Sequence, residues 1–423
     1  MRNAAWIIAC RVIQSVFALI INMLTARYLG PSNYGIINYA ASLVAFAEPL
    51  VLLGLNSILV QEILEKPDSE GETLGTAIVL CIFSAVACTV GLAVFVKVAN
   101  AGEEETILVC ILYSAILLFK AMELIQYWYQ AKLLSKYPSI VMLCAYVVVS
   151  AYRIMLLVQQ KSIYWFSVIN ALDYMLIAIS LLVLYKQFRG QRLHFSYARA
   201  KELLTKSKYF LASTMMITVF AQTDKILLKL MVGEQETGVY AAAVACAMLS
   251  NFVFSALFDS VRPSILSSRK IDLEAFEEKI TCLYSVILYL SFAQGIFFLL
   301  LADPVVHFLY GAQYEGAASV LRVVIWYTVF SYAGMVRSIW ILAEQLHRYL
   351  WVINLCGAVV SVTLNLTLIQ VWGATGAAVA SVLTQFFTNV VLGFIISPLR
   401  RNNMLMLRAL NPKYLLRAYD EYQ

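Results

Sequence analysis

The sequence predicts an all-α polytopic membrane protein, with twelve transmembrane helices in two parallel six-helix bundles around a central cleft. Three observations predict this fold class. The chain of 423 residues is 62% hydrophobic and only 13% charged, whereas soluble domains carry about 25% charged residues. Apolar runs of about 20 residues, each long enough to cross a bilayer, recur along the whole chain. A motif bounded by two glycines also occurs in both halves of the chain, at a constant offset.

Twelve apolar spans follow one another along the chain. The first could be read as a cleaved signal peptide, but its apolar part is too long and eleven further spans follow it. The predicted spans are residues 6–27, 36–59, 75–98, 106–130, 138–158, 162–185, 209–231, 238–261, 281–302, 319–343, 349–370 and 376–397.

The Lys and Arg residues between the spans predict the orientation of the chain. The N-terminus, the even-numbered connections and the C-terminal tail together hold 21 of the 31 Lys and Arg residues, whereas the odd-numbered connections hold three. Cytoplasmic connections carry the excess of positive charge, so both termini are predicted to be cytoplasmic. The net charge of +6 therefore reflects membrane orientation and gives no indication of a nucleic-acid partner.

Three connections carry two glycines separated by four residues. They read GPSNYG from Gly30, GEQETG from Gly233 and GAQYEG from Gly311, and they join spans 1 to 2, 7 to 8 and 9 to 10. A phosphate-binding P-loop would need Lys and Ser or Thr directly after the second glycine, and none of the copies has them. Glycine tolerates positive φ, so we predict tight turns between long helices.

The first two glycine motifs divide the chain into two repeated halves. They are offset by 203 residues, so spans 7 and 8 repeat spans 1 and 2, and an even number of spans in each half gives a parallel repeat. We expect spans 1, 2, 7 and 8 to line the cleft. The linker is strongly basic, and a surface amphipathic helix is predicted near its end. The predicted parts are the first bundle at 1–185, a basic cytoplasmic linker at 186–208, the second bundle at 209–397 and a cytoplasmic tail at 398–423.

Several of these segments together resemble a known family. LTARYLGPSNYGIINYAAS, QYWYQAKLLSKYPSI and the segment from AKELLTKSKYF to MVGEQETGVYAAA are similar to parts of the bacterial polysaccharide-export flippases. ADPVVHFLYGAQYEGAASVLRVV and LNLTLIQVWGATGAAVAS resemble the late spans of the same family. These proteins translocate O-antigen and capsule repeat units, within the multidrug/oligosaccharidyl-lipid/polysaccharide exporter superfamily. The resemblance covers nearly the whole chain and depends on the order and spacing of the segments.

The resemblance implies a specific activity and location. It implies movement of an undecaprenyl-pyrophosphate-linked oligosaccharide from the cytoplasmic to the periplasmic leaflet of the bacterial inner membrane, for O-antigen, lipopolysaccharide or capsule synthesis. It also implies a polar, usually cationic lumen in contact with membrane lipids, and a polymerase and a chain-length regulator as pathway partners. No cofactor is expected, and coupling to H⁺ or Na⁺ stays open.

Charged residues inside the spans are the candidate site residues, because a charge within a bilayer usually faces a cavity or a partner. Arginine offers a planar fork that matches phosphate oxygens. Alternatives exist for several cations: Arg11 and Lys225 could extend to the membrane surface, and Lys120 could pair with Glu123 at the i,i+3 spacing. Lys229 and Arg322 are read as interfacial anchors. The candidates for a pyrophosphate or sugar cavity are Arg11, Lys120, Arg153, Lys225 and Arg337.

Acidic residues inside the spans are candidates for coupling or gating. Carboxylates in such places can bind a proton or Na⁺ and bias one side of a transport cycle. Pro49 can kink its helix beside Glu48, so a hinge and an acid coincide there. The alternative is that each acid is satisfied by a nearby partner and has no role in coupling. The coupling candidates are Glu48, Pro49, Asp173 and Asp224.

Other chemistry is not indicated by the sequence. The eight cysteines form no CxxC pair and the three histidines form no HExxH motif, so neither a metal site nor an enzyme is predicted. Two alternatives to the flippase stay open: a cation- or proton-coupled small-molecule antiporter of the multidrug type, and a membrane-embedded polysaccharide polymerase. The latter usually needs a large external loop, whereas every external connection here is short.

Overall fold

A computed structural model describes the backbone of residues 2–421 and the side chains of residues 17–417. Within this part of the chain all regular structure is helical and no strand is present. Among the described residues, eight helices are long and apolar enough to cross a membrane, or nine if the bent pair Glu234–Ala247 and Asn251–Ser268 forms one span. The prediction of an all-α polytopic membrane protein is confirmed, while the count of twelve spans stays a prediction.

The chain divides into two compact units, Met1–Gln222 and Thr223–Gln423. The boundary lies inside one continuous helix, Tyr197–Met231, so no loop separates the units. The helices that begin in the first unit are α1 (Arg2–Leu52), α2 (Leu59–Glu65), α3 (Glu70–Ala99), α4 (Glu104–Ser114), α5 (Ile116–Glu123), α6 (Ile125–Ala131), α7 (Lys136–Val158), α8 (Ile163–Gln187) and α9 (Tyr197–Met231).

The second unit continues with eight α-helices. A π-helical turn at Phe387–Val391 separates two of them. The helices are α10 (Glu234–Ala247), α11 (Asn251–Ser268), α12 (Leu273–Tyr310), α13 (Gly316–Ala343), α14 (Leu350–Phe386), α15 (Leu392–Ile395), α16 (Arg400–Arg408) and α17 (Lys413–Glu421). Aromatic and aliphatic side chains of α11, α12 and α13 form the hydrophobic core of this unit.

The three glycine motifs adopt the same turn. Gly30 has φ 73° and ψ 171°, Gly233 has φ 124° and ψ −179°, and Gly311 has φ 82° and ψ 175°. This region of φ and ψ is accessible essentially only to glycine. The predicted tight turns with positive φ are confirmed at all three positions, and α1 changes direction at Gly30 inside what is otherwise one helix.

An extended segment, residues 191–196, lies along the start of α3, and we call it the strap. Two glycines of α3 permit its close approach. A Cβ atom at Gly71 would lie 2.5 Å from the carbonyl oxygen of Arg192, and one at Gly75 would lie 2.6 Å from the backbone nitrogen of His194. Part of the predicted linker is therefore bound to the first unit by backbone packing.

An ion cluster fixes the first turns of α9 beside the strap. The buried carboxylate of Glu62 forms ion pairs with Arg199 at 2.9 Å and with Lys206 at 2.6 Å. Glu202 pairs with Arg199 at 2.5 Å, Lys66 at 2.9 Å and Lys206 at 3.1 Å. Hydrogen bonds from Lys66, then Arg199 and Lys206, lower the pKa of Glu202 to about 2.

Candidate functional site

A polar cavity of about 450 Å³ lies inside the first unit. Helices α1, α4, α5, α7 and α8 supply its walls, and their outer faces are largely apolar. Burying this many polar groups within a membrane-spanning unit costs free energy unless they line a cavity or form hydrogen bonds with one another. Its polar lining includes Asn22, Thr25, Tyr34, Asn38, Glu48, Tyr113, Lys120, Tyr146, Ser150, Arg153, Asn170, Asp173 and Tyr174.

Helical spacing explains how α1 supplies one wall. Tyr34, Asn38, Ala41, Ala45 and Glu48 follow one another at three- or four-residue steps, which places them on one face of the helix. The two small alanines lie between Asn38 and Glu48 on this face, so space is left between these polar groups.

Glu48 and Lys120 form an ion pair at the cavity wall. The Lys120 ammonium donates a hydrogen bond to Glu48 Oε1 and lies 5.0 Å from the centre of the Tyr174 ring. Glu123 instead accepts a hydrogen bond from Gln126 at 3.2 Å. The pairing of Lys120 with Glu123 considered from the sequence is therefore wrong, because Lys120 turns toward the neighbouring α1. Lys120, which was predicted to contact the substrate, and Glu48, which was predicted to act in coupling, thus form one ion pair.

Arg153 and Asp173 occupy the same cavity and retain unused hydrogen-bonding capacity. Arg153 Nη2 donates to Asn170 Oδ1 at 2.6 Å, and Asn170 Nδ2 donates to Tyr113 Oη at 3.0 Å. Arg153 Nε and Asp173 Oδ1 are buried and have no hydrogen-bond partner within the described part of the chain. Both side chains line the cavity, whereas these two atoms are themselves enclosed by neighbouring atoms.

A second cavity of about 270 Å³ adjoins the first at Glu48. It is lined by the end of α1, including Pro49, by Gly54, and by Thr214 and Gln222 of α9. Glu48 borders both cavities, so its ion pair with Lys120 lies where they meet. Pro49 lacks a backbone donor, which weakens the helix directly after Glu48.

The lining charges of the first cavity balance among the described side chains. Lys120 and Arg153 contribute two positive charges, and Glu48 and Asp173 contribute two negative charges. The resemblance implies a usually cationic lumen, and the described part of this cavity's lining does not have that character. Arg11, the first candidate cation from the sequence, lies outside the residues whose side chains are described.

Two candidates from the second half, Asp224 and Lys225, lie at the start of the second unit. Asp224 accepts hydrogen bonds from Tyr240 Oη at 2.5 Å and from the Lys225 backbone nitrogen at 2.8 Å. Tyr240 Oη also lies 3.1 Å from Ser381 Oγ. Asp224 is therefore held in a local polar network, and Lys225 is half-buried beside it.

Arg337 lies in the packed core of the second unit. Its side chain is buried, and Nη1 donates to the carbonyl oxygen of Thr388 at 2.6 Å. Thr388 belongs to the π-helical turn at Phe387–Val391, where carbonyl groups depart from the regular helical hydrogen-bond pattern. Arg337 satisfies one of these carbonyls, so we do not include it in the site proposed below.

The two cations read as interfacial anchors both form ion pairs. Lys229 pairs with Glu234 at 3.2 Å, and Arg322 pairs with Asp303. Lys229 is almost fully buried, so it stabilises the turn after α9 and does not act as an exposed anchor.

The sequence reasoning missed the uncharged polar residues of the site. Asn170 connects Arg153 to Tyr113, and Tyr174 lies beside Lys120. A signal was present, because Asn170, Asp173 and Tyr174 are spaced i, i+3 and i+4 and so share one face of α8. Such a polar stripe in an apolar span predicts a cavity wall.

Comparisons with known proteins give a family and a fold. A model of the family described as polysaccharide biosynthesis protein matches residues 24–319. A sequence search of curated proteins gives no significant match.

Among solved structures, the chain is similar to a lipid II flippase, MurJ, in an inward closed conformation. The TM-score is 0.72 at 13% identity, over 97% of this chain and 92% of that one. An inward-facing multidrug resistance MATE transporter of the MOP superfamily gives a TM-score of 0.65 at 15% identity, over 92% and 94%. A MOP superfamily transporter from Pyrococcus furiosus, whose binding pocket is described as reversed in polarity, gives 0.61 at 14% identity, over 95% of each chain. At these identities the likeness establishes a shared membrane-transporter fold.

Proposed function

The chain belongs to the polysaccharide biosynthesis protein family, and from this premise we propose that it is a flippase for lipid-linked oligosaccharides. It moves undecaprenyl-pyrophosphate-linked repeat units from the cytoplasmic to the outer leaflet of a bacterial inner membrane, by alternating access between two six-helix bundles. The product serves O-antigen, capsule or another surface polysaccharide, and a polymerase and a chain-length regulator act downstream. Both termini face the cytoplasm.

The observation that carries this proposal is the polar cavity inside the first unit. A substrate of this class has a polar sugar head that cannot cross hydrocarbon unaided, while its lipid tail stays in the bilayer. A cavity with hydroxyl, amide and charged groups provides hydrogen bonds that replace those of water. Similarity to the fold of a lipid II flippase supports the same reading, as does membership in a polysaccharide biosynthesis family.

Glu48 is the best placed residue for coupling. It borders both cavities and holds Lys120 in an ion pair. Binding of a proton or Na⁺ to Glu48 would release Lys120, because the attraction between the two side chains depends on the carboxylate charge. Pro49 lets α1 bend beside the pair. Asp173 in the same cavity and Asp224 in the second unit are secondary candidates.

The test is flipping of a fluorescent lipid-linked oligosaccharide in vesicles that contain the purified full chain, combined with polysaccharide export in cells that lack the native gene. We expect Lys120→Ala and Arg153→Ala to abolish both activities at normal expression. Lys97→Ala, a change in an exposed residue at the end of α3, is the matched control and should retain them. Full export by the two cavity variants would contradict the proposal.

A small-molecule antiporter is the second candidate, since the fold is also similar to that of multidrug MATE transporters. The two functions differ in a direct assay. Overproduction of an antiporter would lower the sensitivity of cells to cationic drugs, whereas overproduction of a flippase would leave it unchanged. A polymerase activity is a third alternative, and it would lengthen the saccharide in vesicles where a flippase only moves it.

A further inference from the structure

We propose that the first-unit cavity binds an uncharged sugar of the repeat unit through neighbouring hydroxyl groups, and that it excludes the pyrophosphate. The inference rests on the proposed function for the class of substrate. It assigns one part of that substrate to a defined set of side chains, Arg153, Asp173 and the tyrosines around them.

The two unused buried groups are the first argument. Arg153 and Asp173 both line the cavity, and a guanidinium donates hydrogen bonds while a carboxylate accepts them. Among the described residues each side chain also has one enclosed atom without a hydrogen-bond partner, Arg153 Nε and Asp173 Oδ1, so neither side chain has all its hydrogen bonds. A buried polar atom without a partner is destabilising, so each needs an explanation. A hydroxyl group both donates and accepts. Two adjacent hydroxyls of one sugar can therefore accept from Arg153 and donate to Asp173 at the same time.

The charges in the cavity argue against the pyrophosphate. Lys120 is already paired with Glu48, and Arg153 is partly engaged by Asn170. The free oxygen of Asp173 would repel an anion across a poorly solvated space. A pyrophosphate would have to displace Glu48 and tolerate Asp173, whereas a neutral sugar meets neither penalty.

The uncharged lining fits a saccharide. Tyr34, Tyr113, Tyr146 and Tyr174 border the cavity, and a tyrosine offers an apolar ring together with a polar hydroxyl. The tyrosine rings can contact the C–H groups of a sugar ring, while Asn38 and Ser150 contact its hydroxyls. The volume of about 450 Å³ lies in the range of small-ligand sites, about 300–1,000 Å³. It accommodates a small saccharide and not the entire lipid-linked unit.

The experiment is saturation-transfer NMR on the detergent-purified full chain. The probes are glucose, galactose, N-acetylglucosamine and inorganic pyrophosphate. We expect transfer to at least one neutral sugar, undiminished by an equal concentration of pyrophosphate. Absence of transfer to all three sugars, or displacement of a bound sugar by pyrophosphate, would overturn the inference.

Asp173→Leu separates binding from folding. It removes the carboxylate and keeps the branched shape and the number of heavy atoms, so we expect thermal stability to be equal or higher while sugar affinity falls about tenfold or more. Glu123→Gln, a carboxylate change in the same unit but outside the cavity, should retain binding. If both variants bind sugar as the wild type does, the assigned site is wrong.

Failure of this inference can be distinguished from failure of the proposed function, because sugar binding is measured without transport. A chain that binds neutral sugar in this cavity but never flips a lipid-linked oligosaccharide would refute the flippase alone. A chain that flips the lipid while pyrophosphate competes for the cavity would refute this inference alone.

Discussion

The two units place their buried polar side chains in different surroundings. In the first unit, Arg153 and Asp173 line a cavity. In the second, Arg337 donates to the Thr388 carbonyl and Asn403 donates to the Val390 carbonyl at 2.8 Å. Arg337 and Asn403 thus stabilise backbone that departs from regular helix, whereas Arg153 and Asp173 line open space. Buried atoms without a partner do not separate the two pairs, since Arg337 Nε and Asn403 Oδ1 also have none among the described residues.

This difference shows that a charge inside an apolar span has two explanations with the same sequence signature. Arg153 and Arg337 are both isolated arginines in apolar helices, and both carry the high cost of burial. Only the surroundings separate them: an open cavity for one, and a carbonyl of a π-helical turn for the other. Substrate contact is therefore best sought where a buried charge borders volume that a ligand can enter.

The largest expected effect tests this contrast directly. Arg337→Ala removes the partner of a buried carbonyl and opens a void, so we expect a loss of about 3 kcal/mol in the free energy of unfolding. Arg153→Ala should cost less stability, because its side chain borders a space that is already open, but should abolish export. Thermal unfolding in detergent and export in cells measure the two effects. A stable Arg337→Ala variant with no export would reverse the assignment and place Arg337 at the site.

A smaller effect tests whether the strap depends on close packing against α3. Gly75→Ala places a methyl group about 2.6 Å from the His194 backbone nitrogen, so the strap must shift. Overpacking of this kind costs about 1–3 kcal/mol. We expect faster cleavage by a protease within residues 191–196 and a lower unfolding temperature.

Gly91→Ala is the matched control in the same helix. A Cβ at Gly91 would meet nothing within 4 Å, and replacing a helical glycine by alanine stabilises by about 0.5–1 kcal/mol. Equal proteolysis of the two variants would show that the strap does not depend on close packing against α3.

The smallest expected effect is a pH dependence in the ion cluster. The pKa of Glu202 is lowered to about 2, from about 4.3 in an unfolded chain. The stabilisation from this carboxylate is therefore present above the unfolded pKa and is lost as the pH falls toward 2. Glu202→Gln should lower the unfolding temperature slightly at pH 7, because partly exposed ion pairs contribute less than about 1 kcal/mol.

The difference between wild type and Glu202→Gln should shrink as the pH falls from 5 to 3. A difference that stays constant over this interval would mean that the carboxylate charge does not hold the cluster. A difference that grows would contradict the direction of the pKa shift.

The fold class was predictable because its signals are local. Hydropathy identifies the spans, and the glycines at 30, 233 and 311 identify three turns that have the predicted positive φ. The site was predictable only in part. Lys120 and Glu48 are 72 residues apart, so their pairing depends on how helices pack, and the sequence suggested the nearer Glu123. The role of Arg337 depends on a π-helical turn that leaves no recognisable pattern in the sequence.

The shared glycine turn separates backbone geometry from side-chain chemistry, so positions with the same backbone geometry can carry different roles. The bounding glycines fix the path of the chain, so the four residues between them can change without altering it. In the first copy Tyr34 borders the cavity, in the second Glu236 accepts a hydrogen bond from the Ala374 backbone nitrogen at 3.0 Å, and in the third Tyr314 is fully buried. The same turn geometry thus holds a cavity-lining residue, a helix-stabilising contact and a core residue.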